Sequence, residues 1–369
     1  WMEINCLMIK SAKKIILKKN SKVYILAPAG AYTGGPECLH QLAYYVSKIF
    51  KVRTLIYYLP NETKHPIHKN FKHYNINYTN IIEDQKDNVL IMPEHYLFLQ
   101  SGLNYSNIQK IIWWLSVDNY FGFKFNYQFK KLARSILKVP YKIILFFNKI
   151  TNYYFGIFTY HDYLKLIYKF SELKKQKEIE QASLHLVQSY YAYNFLKDEL
   201  KNLQFLFDFQ NKKLLKSSKN KNKKENLICY SHKSNEFIKL LKEKSNETFI
   251  ELKNFTSQQI IQIFKKTKIY IDFGYHPGKD KMPREAVLFD NCIITNYKGS
   301  ANNKFDIPIN KNFKFLQKYN DIDKINRIID SFFKNYKKKI KLFVSYKKKV
   351  LNEEKIFKKQ LLNIFHKIK

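Results

Sequence analysis

The sequence predicts an α/β protein made of two parallel-sheet units, and three observations carry that expectation. Residues 23–46 read as strand, glycine-containing loop and helix; a second series of strands alternating with helices runs from residue 227; and a Lys/Asn/Ser-rich stretch, residues 211–226, with seven lysines and one glutamate in sixteen positions, separates the two. At roughly 150 residues per domain, 369 residues fit two domains.

In the first unit, the β-branched and apolar run 23–27 ends at Pro28 and is followed by the loop containing Gly30, Gly34 and Gly35. Pro36 suits a first helical turn, where its missing N–H has no partner to lose, and Leu39, Leu42, Ala43 and Val46 recur at helical spacing to cover a sheet. Residues 54–59, 89–92, 111–115 and 184–187 are further strand candidates. In the second unit, strands are predicted over 227–230, 248–252, 269–273 and 292–295, with helices over 236–244 and 257–265 and a helical pattern from Asp321 onward. No internal repeat is visible.

Hydrophobic residues make up 45% of the chain and aromatics 17%, enough for a large core and inconsistent with disorder. Four cysteines, Cys6, Cys38, Cys229 and Cys292, lie far apart with no CxxC pair, which excludes a disulfide framework and a zinc ribbon and fits a reducing cytoplasm. No run approaches the roughly 20 apolar residues of a spanning helix, and residues 1–22 are too interrupted by lysine for a secretory signal. The net charge of +36 rests on 62 lysines and only four arginines, Arg53, Arg134, Arg284 and Arg327. Planar, bidentate phosphate recognition favours arginine, so this skew argues against a specific nucleic-acid partner. It leaves an anionic membrane surface as an expected one. Residues 121–170 add 16 aromatics and nine basic residues against one acid, a composition suited to a bilayer headgroup boundary and equally to an aromatic core.

Glycine is scarce, and six of the nine glycines fall in residues 30–35 and 274–299, each stretch following a predicted strand. In an open α/β sheet such loops border the ligand crevice, where glycine lets backbone amides approach phosphate or sugar oxygens. One loop per unit predicts a cleft between them. The second stretch concentrates polar chemistry: Gly274, His276, Gly278, Lys279 and then Pro283-Arg284-Glu285-Ala286, which opens a helix with proline at its start. There Lys279 and Arg284 can neutralise a diphosphate while Glu285 accepts from both ribose hydroxyls; a capping network with an internal salt bridge is the plainer alternative. Asp118 and Glu94 each follow an apolar run and would end strands at the cleft, where either can orient an acceptor hydroxyl or act as base. His40 and His95 are further acceptor-side candidates. Asp321-Ile322-Asp323 matches an Asp-x-Asp metal pattern but opens a late helix, so a helix cap explains it better and no metal is expected.

The order of these motifs resembles glycosyltransferases of the GT-B type, in which two Rossmann-like domains face across a cleft, and particularly a bacterial group of capsule and lipopolysaccharide biosynthesis. The residues that carry the resemblance are Thr33-Gly34-Gly35-Pro36-Glu37 with His40-Gln41-Leu42-Ala43, Met92-Pro93-Glu94, the run from Trp113 to Asp118 and Asn119, Gln188-Ser189, the 274–286 block, and Gly299-Ser300-Ala301. The resemblance implies donor contacts from Gly34, Gly35, Lys233, Gly274, His276, Gly278, Lys279, Arg284, Glu285, Gly299 and Ser300. It implies acceptor contacts from Glu37, His40, His95 and Asn119, and catalytic roles among Asp118, Glu94 and His276. Related retaining enzymes carry a second glutamate eight positions before the one matched by Glu285; here Pro277 stands there, and His276 or Lys279 takes the place of the missing carboxylate. At 230–233 only Lys233 matches the expected pattern.

The expected organisation is an acceptor-side domain over residues 1–208, a linker over 209–226, a nucleotide-sugar domain over 227–340, and a basic C-terminal helix over 341–369 that crosses back to the first domain as in other members of the fold. The expected function is metal-independent transfer of a sugar, hexosyl or related, from a nucleotide-sugar to a bacterial surface glycan, itself free or lipid-linked. The transfer would take place at the cytoplasmic face of the membrane, with no cofactor beyond the sugar nucleotide. A non-catalytic basic protein that binds membrane or nucleic acid is the alternative from another class, and a GT-B-like epimerase or phosphorylase the alternative among enzymes.

Overall fold

The computed structural model describes residues 13–122, 124, 173–220, 223–234 and 236–368. Most of the aromatic, basic stretch 121–170 lies outside the described residues, as does the start of the chain.

Fourteen strands occur among the described residues: β1 (Ile15–Leu17), β2 (Lys22–Pro28), β3 (Arg53–Leu59), β4 (Tyr78–Thr79), β5 (Val89–Pro93), β6 (Gln109–Trp114), β7 (Leu184–Val187), β8 (Leu203–Phe205), β9 (Glu225–Ser231), β10 (Thr248–Leu252), β11 (Thr267–Asp272), β12 (Cys292–Asn296), β13 (Lys314–Phe315) and β14 (Phe365–Lys367). They form a seven-stranded sheet ordered β4-β3-β2-β5-β6-β7-β8, a five-stranded sheet ordered β10-β9-β11-β12-β13, and a two-stranded pair β1-β14. Every recorded pairing is parallel.

The large sheet is apolar on both faces, as a parallel sheet covered on both sides must be. Val23, Ile25, Val89, Ile91, Ile111 and Trp113 enter one core with Leu39, Leu42 and Val46 of the Gly34–Phe50 helix. Their neighbours Tyr24, Leu26, Leu90, Met92, Ile112 and Trp114 enter the other. The strand order reverses between β2 and β5; the helix after β2 opens with Gly34 and Gly35, and the loop after β5 carries Glu94 and His95.

The stretch expected to be an exposed linker is in part folded. Phe209 is buried in the core that holds Val23 and Leu39, and Asn211 caps the short Lys212–Ser217 helix, accepting from the Leu214 amide and sending Leu214 into the core of the five-stranded sheet, among Ile228, Tyr270 and Ile293. Adjacent leucines, Leu214 and Leu215, give this lysine-rich segment an apolar side that the composition hides. At the other end, Tyr346 and Val350 of the Val344–Leu351 helix pack in the core of the five-stranded sheet, whereas Phe357, Leu361 and Ile364 of the Glu353–Ile364 helix pack with Val23 and Leu39 against the large sheet, and β14 pairs with β1. Among the described residues no helix is long and apolar enough to cross a membrane.

Candidate active site

The carboxyl ends of the two sheets meet. Beyond β11, residues 273–280 form a loop whose fastenings are mostly backbone groups. Asn296 donates to the Gly274 carbonyl (2.7 Å), the Ser300 amide to the His276 carbonyl (2.8 Å), and the Ser300 hydroxyl to the Gly278 carbonyl (2.5 Å). From the other domain, the Ser116 hydroxyl donates to the Pro277 carbonyl (3.0 Å). Gly274, Gly278 and Gly299 are each needed for space: an added Cβ would meet the Lys233 Cβ at 2.7 Å, the Leu115 carbonyl oxygen at 2.3 Å and the His276 carbonyl oxygen at 2.0 Å, respectively. Gly299 also has φ +59°, the left-handed region. Gly34 and Gly35, by contrast, leave ordinary contact distances of 3.5 Å to Lys281 and 3.6 Å to Leu115.

His276 is fully buried, with Nδ1 2.7 Å from Asp280 Oδ2 and Nε2 3.7 Å from Asp272 Oδ1. Burial alone would lower its pKa, but the two carboxylates outweigh that and raise it. Ligand atoms of the three side chains lie within 4.8 Å of one another, the spacing of a cation site. Yet the carboxylates address opposite ring nitrogens, an arrangement that suits an imidazolium. Asp272 is further held by the Tyr270 hydroxyl (2.6 Å) and the Gly274 amide (3.1 Å). Lys233 is exposed beside this triad, and its charge acts on both His276 and Asp280.

The helix expected to begin at Pro283 begins two residues earlier, at Lys281. Arg284 and Lys279, expected on a diphosphate, are instead committed to protein carboxylates. Arg284 is 1% exposed, with Nη2 2.6 Å from Asp208 Oδ2 and Nη1 2.8 Å from Glu353 Oε2; Lys279 Nζ lies 2.8 Å from Glu353 Oε1. Two acids from outside the motif compete for the cations, which local sequence does not reveal. The cation that does reach the glycine loop is Lys281, 2.5 Å from Glu37 Oε2, and the Asn211 side-chain amide donates to Glu37 Oε1 (3.2 Å). Glu37, expected at the acceptor, thus carries an ion pair between the domains. Glu285 is half-buried next to this pair; burial pushes its carboxyl up to about 6, and among the described residues no hydrogen bond reaches its side chain.

The acceptor-side candidates fare differently from expectation. His40 is buried, bonded to the Pro36 carbonyl and the Tyr58 hydroxyl (both 2.7 Å), and burial lowers its pKa to about 4, so it supports the loop from beneath. His95 caps the Tyr96–Gly102 helix, accepting from the Leu97 amide. Glu94 is 4% exposed and accepts from the Leu115 amide (2.9 Å), which makes it a brace for the 115–116 turn rather than a group open to an acceptor. The Asn119 amide closes the turn on the Ser116 carbonyl. Asp118 is wholly buried between the Tyr191 hydroxyl (3.0 Å) and the Tyr275 hydroxyl (2.6 Å), the latter from the other domain.

Sequence reasoning missed Tyr191, Tyr275, Asp208, Asp306 and Glu353. Asp306 accepts from the amides of Tyr190 and Tyr191 (2.9 and 2.8 Å), fastening the second domain to the start of the Tyr190–Leu196 helix. One signal was readable: Glu353 is one of only two acids among residues 334–369. Tyr32 was also overlooked. Its ring stacks on His68 (4.8 Å, 14°) and its hydroxyl lies 3.1 Å from Ser257 Oγ of the other domain, leaving a 45%-exposed aromatic on the first glycine loop.

A scan of protein families finds none that matches the chain, and no curated protein matches it. Solved structures do. Sucrose-phosphate synthase from Thermosynechococcus elongatus is 9% identical, with 94% of this chain and 95% of that one covered at a TM-score of 0.51. Anabaena HepE, in complex with UDP-glucose, is 10% identical, with 92% and 95% covered at 0.51. At such identities the likeness is one of fold. Together with the two parallel sheets joined at their carboxyl ends, it establishes that this chain has the GT-B fold, two Rossmann-like domains facing across a cleft.

Proposed function

We propose that the protein is a glycosyltransferase that takes a sugar from a nucleoside diphosphate sugar and passes it to a glycan. The observation that carries this reading is the meeting of two glycine-bearing loops at the carboxyl ends of both sheets, with Lys281 at one helix start lying over Gly34 at the other and Glu285 beside them, its side chain reached by no hydrogen bond among the described residues. Two helix N-termini favour an anion at this position. Glu285 supplies a carboxylate for ribose hydroxyls, and the exposed Lys233 is positioned to neutralise a leaving diphosphate as charge develops on it. HepE, of the same fold, is described in complex with UDP-glucose, which supports a nucleotide-sugar as donor.

In this reading no metal is needed, because amides and lysines stabilise the leaving group, and the acceptor is a bacterial surface glycan of capsule or lipopolysaccharide type. The excess of lysine supports approach to an anionic membrane carrying that acceptor. The test is direct: incubate the protein, with and without a chelator, with a panel of labelled nucleotide-sugars and measure release of the nucleoside diphosphate. Turnover of one donor, unchanged by chelation and abolished by Glu285→Ala, is the expected result. No release from any donor, in the presence of glycan acceptors, contradicts it.

A further inference from the structure

The chain crosses between the two domains twice among the described residues, once between β8 and β9 and once between the Val344–Leu351 and Glu353–Ile364 helices. Each crossing carries one buried acid. Asp208 follows β8 and is 0% exposed; Glu353 opens the returning helix and is 2% exposed. Both acids meet the same two cations. Arg284 spans Asp208 and Glu353 at 2.6 and 2.8 Å, and Lys279 contacts Glu353 at 2.8 Å and Asp208 at 3.7 Å. Arg284 also donates to the carbonyls of Lys279 (3.0 Å) and Asp280 (3.1 Å), so the group that binds both crossings also holds the end of the 273–280 loop. Two positive and two negative charges balance, as buried ions require, and removing one leaves another uncompensated. The Arg284 guanidinium holds the Asp208 carboxyl down at about 2 despite its burial.

We propose that Asp208 and Glu353 are positioning residues: the quartet they form with Lys279 and Arg284 is the pin of the interdomain hinge, and it sets the shape of the 273–280 loop together with the approach of the two domains. The functional consequence rests on the reading of the cleft as a donor site; the mechanical one does not.

The contacts that report on it are the Tyr190 and Tyr191 amides, which donate to Asp306 across the domain boundary. Hydrogen exchange is measured on the full chain, on Glu353→Gln, and on Glu353→Gln combined with Lys279→Met, which removes one charge of each sign. The single variant should speed exchange at the 190 and 191 amides about tenfold or more, while the Cys229, Tyr270 and Ile293 amides of the second sheet stay within about twofold. The double variant should restore the slow exchange. If Glu353→Gln does not fold, Glu353→Asp, which keeps the charge and shortens its reach, is read in the same way. Equal acceleration in the sheet and at the boundary, or no change at 190 and 191, overturns the proposal. UDP titration separates the two readings: a roughly tenfold weaker Kd in the single variant, recovered in the double, supports the functional consequence. A parent protein that binds no nucleotide yet shows the predicted exchange pattern removes the donor reading and keeps the hinge.

Discussion

Gly278 and Leu115 meet across the domain boundary with no room for a side chain between them: a Cβ on Gly278 would stand 2.3 Å from the Leu115 carbonyl oxygen. Gly278→Ala must therefore push the 273–280 loop away from the 115–116 turn and stretch the Ser116–Pro277 hydrogen bond. Overpacking of this kind costs about 1–3 kcal/mol, and the expected readout is a lower urea midpoint with weaker nucleotide binding. An alanine variant as stable as the parent would mean that the two loops are not apposed in solution.

Gly299 and Gly34 should behave oppositely. Gly299→Ala combines the left-handed strain of φ +59° with a contact at 2.0 Å to the His276 carbonyl, and a loss of more than about 2 kcal/mol is expected. Gly34 opens a helix and, among the described residues, has no neighbour nearer than 3.5 Å to an added Cβ, so Gly34→Ala should leave stability within about 0.5 kcal/mol. Any nucleotide affinity lost in that variant then reports on ligand approach to the loop.

Glu94 gives stability a pH dependence of definite sign. Burial pushes its carboxyl up to about 7, so the folded state holds a proton that the unfolded chain, titrating near 4.5, has released. Its contribution is complete below the unfolded value and is lost as pH rises through about 7. Glu94→Gln, neutral at every pH and still able to accept from the Leu115 amide, should gain on the parent as pH goes from 5 to 8, by about 2–3 kcal/mol at the upper end. Paired thermal melts at the two pH values measure it. A gap that stays constant would show the carboxylate to be solvated.

Asp118 and Tyr275 form a contact of 2.6 Å between domains, and the two side chains should be energetically coupled. Asp118→Asn and Tyr275→Phe are each expected to destabilise by about 1.5–3 kcal/mol, as for a hydrogen bond to a charged group. Their double variant should cost less than the sum. Strict additivity in chemical denaturation would place the two groups apart.

The fold was largely legible because parallel strands covered on both faces leave continuous apolar runs: residues 89–92 and 292–295 fall within β5 and β12, which are buried throughout. Short edge elements such as β4 and β13, two residues each, have no such run to display. The 274–286 block and the glycine loop were legible as the places where the domains meet, since six of nine glycines gather there. What local sequence could not tell was which charges are already taken. Arg284 and Lys279 look like ligands for an anion until Asp208, 76 positions from Arg284, and Glu353, 69 positions from it, are brought beside them by the two crossings. Lys281 and Glu37 are 244 positions apart and were likewise unpaired on paper.

The central claim, that the cleft beside Glu285 holds a nucleoside diphosphate, is tested most directly by thermal stabilisation with UDP, GDP, ADP, TDP and CMP on the parent protein and on Glu285→Ala. Ligand at 100 times its Kd adds about 2.7 kcal/mol, a shift of a few degrees for domains of this size. The account predicts that one diphosphate raises the Tm of the parent and that Glu285→Ala, folded without ligand, loses that rise. A rise that survives in Glu285→Ala, or no rise with any nucleotide alongside salt-sensitive binding to anionic vesicles or oligonucleotides, would contradict it.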